Sequence, residues 1–385
     1  MVTLGLVVSV ALTGCSSTSK PPANEPAKEM KASYNPGAEP KTLDPQMSNG
    51  IPEAIVEMSL FEGLTRLDKN NVPQPAIAEK WDISPDGMKY TFHLRDTKFS
   101  NGDPLTAEDF KAAWMHAMDP AAAAEYAYQI ADYIKGGAEY NSKKGKAEDV
   151  AVKVIDPKTL EVTLANPTTY FLSLVAFPTY FPVDKKVVEA NKDWNLKAET
   201  FVGNGPFKMQ SWAHNDKIVA VKNENYWDAK NVKITQLTLT LVEDQKAALT
   251  AYEAGQIDGM DGVPADDIDR LLKSGDMKAD PQVGTYYYRF NVTKKPFDDA
   301  RVRQAFAMAI DRQQIIDTIA KTKEKKAFGF TSYGINDADT TKTFREVGGD
   351  LFKEDVAKAK QLLADAGFPD GKGFPEFKIL FNGGA

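Results

Sequence analysis

Strand-period and helix-period segments alternate throughout this chain, and that interleaving constrains its fold more than any single residue does. Ser84-Pro85-Asp86-Gly87 has the composition of a turn, and beyond it Tyr90, Phe92 and Leu94 fall on one face of a strand. Ser100-Asn101-Gly102-Asp103 is a second turn, after which Thr106 with Asp109 three residues on predicts the capped start of a helix through Phe110 and Trp114. Leu160, Val162 and Leu164 alternate as a strand after the Asp156-Pro157 turn, and Leu237, Leu239 and Leu241 as another. A helix is expected from Asp244 to Glu253 with Gly255 as its stop. Val302, Phe306, Ala309, Ile310, Ile316 and Ile319 have helical spacing, and Asp355 to Ala366 is a further helix closed by Gly367 and Pro369. Phe377 to Phe381 has strand character, and the sequence stops four residues later, so the chain is expected to be truncated. The class these segments predict is α/β or mixed, in more than one lobe.

A single cysteine in 385 residues rules out an internal disulfide, so buried apolar surface must hold the fold. That length suffices for two or three lobes. A net charge of −7 and a pI near 5.3 argue against a nucleic-acid binder, which would carry a basic patch. The cysteine, Cys15, closes an apolar run from Val2 to Leu12 that is too short to cross a ~30 Å hydrocarbon core but matches the core of a signal peptide. Leu12-Thr13-Gly14-Cys15 resembles a bacterial lipobox, so residues 1–14 are expected to be removed and Cys15 to carry lipid. The Ser-, Pro-, Lys- and Glu-rich stretch to Lys31 is then a disordered spacer. Met1 to Leu4 lacks the usual positive charge, so the true start is expected upstream. No later stretch approaches eighteen apolar residues.

Motifs of catalysis are missing from the sequence. His93, His116 and His214 are isolated, with no HExxH pair. There is no GxSxG elbow, P-loop or GxGxxG. Asp337-Ala338-Asp339 lacks the glycine and glutamate that complete a calcium loop. Asn291-Val292-Thr293 fits the glycosylation pattern, a modification not expected beside a bacterial lipobox. The chain is therefore expected not to be an enzyme, and to need no metal or cofactor.

The order of its motifs is more telling. They run Ala38-Glu39-Pro40-Lys41-Thr42-Leu43-Asp44-Pro45, Leu60-Phe61-Glu62-Gly63-Leu64, Ala78-Glu79-Lys80-Trp81, Tyr90 to Arg95 and Phe99 to Phe110. Gly203-Asn204-Gly205-Pro206-Phe207, Asn225-Tyr226-Trp227, Gly255-Gln256-Ile257-Asp258 and Asp299 to Phe306 with Asp311-Arg312 follow. This succession, over residues 32 to 385, resembles the oligopeptide-binding proteins of bacterial ABC importers, the peptide/nickel class of extracellular solute-binding proteins.

The resemblance implies a periplasmic-binding-protein-like α/β fold of two hinged lobes with an extra small domain. It places the first lobe at 32–61 and 185–283, the small domain at 62–184, and an incomplete second lobe at 284–385. A peptide of arbitrary sequence is recognised through its main chain, because every residue supplies one N–H and one C=O. Asn49, Gly50 and Ile51 align with the first-lobe segment that pairs with peptide backbone, and the family's best-studied members have an acidic residue where Asn49 stands. Tyr126 aligns with a ligand-contacting tyrosine of the small domain, and Tyr287 with a second-lobe strand facing the cleft. In Tyr286-Tyr287-Tyr288, alternation sends the middle ring to the opposite face from its neighbours. Asn204 and Gly205 read as turn-formers, and the family's aspartate that anchors the peptide amino terminus is expected beyond Ala385. The implied protein is a monomer, lipid-anchored through Cys15 to the outer face of the cytoplasmic membrane or facing a periplasm. It passes oligopeptides to an ABC permease and its ATPase subunits. Other cargoes open to the same fold are dipeptides, signalling or cell-wall peptides, a nickel chelate or haem. A chaperone-like surface protein is the alternative of a different class.

Overall fold

The computed structural model describes residues 29–280, 282–339 and 341–381. Cys15, with the expected signal segment, lies outside them. The chain divides after Asp261 into two units.

The unit up to Asp261 begins with β1 (Lys31–Asn35), α1 (Ile51–Leu60), β2 (Thr65–Leu67) and β3 (Pro73–Pro75). Then come β4 (Ala78–Ile83), β5 (Lys89–Leu94), α2 (Ala107–Met118), β6 (Val152–Asp156) and β7 (Thr159–Thr163). It closes with β8 (Phe207–Ala213), β9 (Lys217–Lys222), β10 (Gln236–Thr240), the helix Gln245–Glu253 and β11 (Gly259–Met260). Two larger sheets result: β4-β5-β7-β6, and β11-β1-β10-β9-β8 with β1 parallel to both its neighbours. The strand β1 starts at Lys31, the last residue of the expected spacer.

Local chemistry explains the elements. In β5, Tyr90, Phe92 and Leu94 are buried while the residues between them are not, the half-buried alternation of a sheet with one covered face. The turn before it closes with Gly87 N–H on Ser84 O at 2.8 Å, and Gly87 takes a positive φ of +69°. Thr106 and Asp109 form the expected capping box: the Thr106 N–H and hydroxyl donate to Asp109 Oδ2 at 2.8 and 2.9 Å. Behind that cap α2 buries Phe110, Ala113, Trp114 and Ala117, the i, i+3, i+4, i+7 stripe that covers β6.

Three of the motifs in that succession meet at one junction. The Asn204 side chain, fully buried, accepts from Glu62 N–H at 3.1 Å and donates to Glu62 O at 2.9 Å. Gly205 N–H reaches Leu60 O at 2.8 Å, an approach so close that a Cβ on Gly205 would stand 2.5 Å from Phe61 N. The buried Glu62 carboxylate accepts from Tyr226 Oη at 2.6 Å and Trp227 Nε1 at 2.5 Å, while the Arg95 guanidinium lies 3.7 Å above the Trp227 ring. Burial pushes the Glu62 carboxyl up, and its two hydrogen-bond donors and Arg66 oppose that shift. Leu60-Phe61-Glu62-Gly63-Leu64, Gly203 to Phe207 and Asn225-Tyr226-Trp227 are thus one structural knot.

In the unit from Gly262, the helices Ala300–Ala309 and Val356–Asp365 pack together beside a cluster of Phe297, Phe306, Phe374 and Phe377 rings. Helical spacing from Val302 to Ile319 predicts a run that the structure breaks in two at Ile310. Asp311 caps the next helix through Gln314 N–H at 2.9 Å, and Arg312 donates back to the carbonyls of Ala307 and Ile310 at 2.9 and 3.1 Å. Those contacts satisfy the end of the first helix and the start of the second, so the break is stable. Two strand expectations fail here. Phe377–Phe381 and the triple-tyrosine segment form no ladder among the described residues, because β-branched or aromatic character gives a strand only where a neighbouring backbone pairs with it.

Candidate functional site

Before α1, the chain makes a braced loop. Asp44 O accepts Met47 N–H at 2.9 Å and Ser48 N–H at 3.0 Å, and its carboxylate accepts Gln46 N–H at 3.0 Å. His116 of α2 stands 3.6 Å from Asp44, which raises the imidazole pKa. The buried Gln46 amide donates to Phe181 O at 2.9 Å and Thr179 O at 3.3 Å. That pins the loop to the turn Pro178–Tyr180, which Trp114 Nε1 holds from α2 through Tyr180 O at 2.8 Å.

Between these walls lies an open pocket of about 140 Å3. Asn49, Gly50, Ile51 and Tyr126 line it together, joined by Ser48, Ala54 and Phe177 to Thr179. Tyr126 Oη donates to Asn49 O at 3.3 Å, across 77 residues of sequence. Its ring stands 5.9 Å from those of both Tyr128 and Phe177, forming an aromatic wall. The Ile51 side chain is 70% exposed at the head of α1, and the N–H groups of Asn49 and Gly50 find no acceptor among the described residues. Gly50 leaves room for the Glu53 carboxylate, which folds back beside it to accept Lys41 N–H at 2.7 Å and would have to shift for a Cβ at this position.

Under the pocket sits Glu57, with 0% exposure. Ser48 Oγ donates to its Oε2 at 2.9 Å, and its Oε1 has no partner among the described residues. Burial pushes the carboxyl up to about 8, with Asp44 and Glu53 adding to the rise and Ser48 opposing it. At neutral pH Glu57 is therefore an uncharged acid bracing Ser48 from below.

Tyr287 is in the other unit, half-exposed, with its ring 5.1 Å from Phe330 and its hydroxyl accepting from Arg289 at 3.4 Å. Sequence reasoning missed Phe177 to Thr179 and Glu125, which accepts from the Asn49 side-chain amide. Nothing local in those segments signals a pocket; Gln46 and Trp114 pin the segment around Thr179 to Phe181, and the Asn49 amide ties Glu125 to the loop. A larger, shallower groove of about 490 Å3 runs along β1 and β10 beside α1, and holds none of the predicted residues.

Residues 72–384 match the family model of the bacterial extracellular solute-binding proteins, family 5 Middle. The chain belongs to that family. The dipeptide-binding protein DppE of Bacillus subtilis is 42% identical over 367 residues, covering 94% of this chain and 67% of DppE. The oligopeptide-binding protein OppA of the same organism is 36% identical, covering 99% of this chain and 72% of OppA. The solved structure of the Escherichia coli murein tripeptide binding protein MppA superposes with a TM-score of 0.79 at 32% identity, covering 89% of this chain and 67% of MppA. The fold is thus the α/β fold of this solute-binding family, and no described helix is long and apolar enough to cross a membrane.

Proposed function

We propose that this protein captures peptides outside the cell and delivers them to the membrane permease of an ABC importer. One observation carries that conclusion: the loop Asn49-Gly50-Ile51 and Tyr126 meet in one pocket. Free backbone N–H groups at Asn49 and Gly50 suit the main chain of a peptide, and the aromatic wall suits side chains of varied shape. Asn49, Gly50, Ile51, Tyr126 and Tyr287 are the peptide contacts of this reading. The four-stranded sheet and α2 belong, in this reading, to the extra small domain at 62–184. The first lobe is then 32–61 with 185–283, and the second begins at 284. Cys15, at the end of Leu12-Thr13-Gly14-Cys15, tethers the protein to the membrane by a lipid. Ligand is bound and released unchanged, as a monomer, and ATP hydrolysed by the partner subunits drives transport.

The name of DppE favours a second reading within the same class, in which the cargo is as short as a dipeptide. Calorimetric titration with random-sequence peptides of two to five residues separates the two. Tight binding confined to one length window supports peptide capture, and binding only to unfolded proteins contradicts it.

A further inference from the structure

Glu125 is bonded to the side chain of Asn49, a residue lining the pocket, and sits on the segment that follows Asp119-Pro120. That segment is held in place: Ala121 N–H donates to Asp119 Oδ1 at 2.8 Å, Ala122 N–H to Asp119 O at 3.0 Å, and Ala123 takes a positive φ of +54°. The Glu125 carboxylate is exposed, and the Asn49 side-chain amide donates to its Oε2. Its Oε1 takes no hydrogen bond, and no lysine, arginine or histidine forms an ion pair with it, among the described residues. Glu125 is thus an acidic side chain without an ion pair among the described residues, held by Asn49 beside a pocket lined by Tyr126, Phe177, aliphatic groups, backbone and the uncharged polar residues Ser48, Asn49 and Thr179.

We infer that Glu125 selects for a cationic group on the ligand, an ammonium or guanidinium, seated between its carboxylate and the rings of Tyr126 and Tyr128. A carboxylate and an aromatic face attract the same charge, the first by Coulomb interaction and the second through the ring quadrupole. Asn49 contributes by holding the carboxylate in place without neutralising it. The Tyr126 and Tyr128 planes stand at 82° to each other, so a cation beside one ring meets the second at a different angle. The exposed setting limits the effect to roughly three- to fivefold in affinity, the range of an exposed ion pair. Selection of this kind rests on the pocket being the peptide site.

The test is calorimetric titration of the whole protein, and of Glu125→Gln and Glu125→Lys, with three tetrapeptide sets that differ only in charge. One set has a free amino terminus, one has an acetylated terminus with a single lysine, and one has an acetylated terminus with norleucine in its place. The inference expects native protein to favour at least one cationic set over the norleucine set, the preference to shrink several-fold in Glu125→Gln, and to invert in Glu125→Lys. Loss with the free-terminus set identifies the terminal ammonium as the cation, and loss with the lysine set identifies a side chain. Preferences unchanged in both variants overturn the role of Glu125 while leaving peptide capture intact. Failure of every peptide to bind native protein overturns peptide capture itself, and this inference with it.

Discussion

Replacing Glu57 by glutamine should stabilise the unit up to Asp261 at pH 7, and the gain should disappear near pH 5. Glu57 is fully buried, and burial lifts its carboxyl from 4.5 to about 8. The folded protein therefore keeps this proton until about pH 8, whereas the unfolded chain releases it near 4.5. Between those values the folded state binds more protons, so stability falls as pH rises, by about 1.4 kcal/mol per pH unit. By pH 7 the accumulated cost is about 3 kcal/mol. Glutamine is neutral at every pH and escapes that cost, but its amide must find acceptors where only Ser48 Oγ now contacts Oε2, offsetting about 1–2 kcal/mol. The net expectation is a gain of about 1–2 kcal/mol at pH 7 that is gone near pH 5, where the variant is at most about 1 kcal/mol less stable than native protein. Urea unfolding followed by tryptophan emission reads this unit alone, because all five tryptophans, from Trp81 to Trp227, precede Gly262. A difference between variant and native protein that stays constant from pH 5 to pH 8 would refute a neutral, buried Glu57.

Three further outcomes follow from the geometry. Asn204→Ala leaves the Glu62 N–H and C=O buried without partners and should cost about 2–5 kcal/mol in the same unfolding assay; a loss below 1 kcal/mol would contradict the knot. Gly205→Ala places a Cβ 2.5 Å from backbone at Phe61, so it should destabilise more than an alanine at Gly284, where a Cβ meets open space. Tyr126→Phe removes only the 3.3 Å hydrogen bond to Asn49 O and should weaken peptide affinity by no more than about fivefold, whereas Tyr126→Ala also removes the aromatic wall and should weaken it further; equal affinities for the two variants would exclude the ring from the site.

What was legible in the sequence was chemistry local to a few residues. Thr106 with Asp109 spells a capping box whether or not the rest of the chain is known, and Tyr90, Phe92 and Leu94 display their buried face by alternation alone. The helix Gln245–Glu253 is announced by Asp244, which accepts Ala247 N–H at 2.8 Å, and ended by Gly255 at φ +68°. Where partners are distant, the pattern was silent or misleading. The break at Ile310 depends on Arg312 reaching back to carbonyls, which helical spacing does not encode. Phe377 to Phe381 has the residues of a strand without the ladder. At the site, the resemblance supplied Asn49, Gly50, Ile51 and Tyr126, which share one pocket. Phe177 and Glu125 came only from tertiary packing, the first through the Gln46 and Trp114 bonds to the turn that follows it, the second through the Asn49 amide. The large shift at Glu57 was equally invisible, since a glutamate in an amphipathic helix reads as solvated until its neighbours are known.

Peptide capture at the Asn49–Ile51 loop is tested most directly by competing main chain against main chain. Calorimetric titration should use one tight-binding peptide and its analogues in which single peptide bonds are replaced by an (E)-alkene, each of which removes one backbone C=O and one N–H and leaves every side chain in place. Replacement at one or more positions is expected to cut affinity at least tenfold, while exchanging side chains at those positions changes it far less. Affinity that follows side-chain identity and ignores backbone replacement throughout the peptide would contradict capture through the main chain.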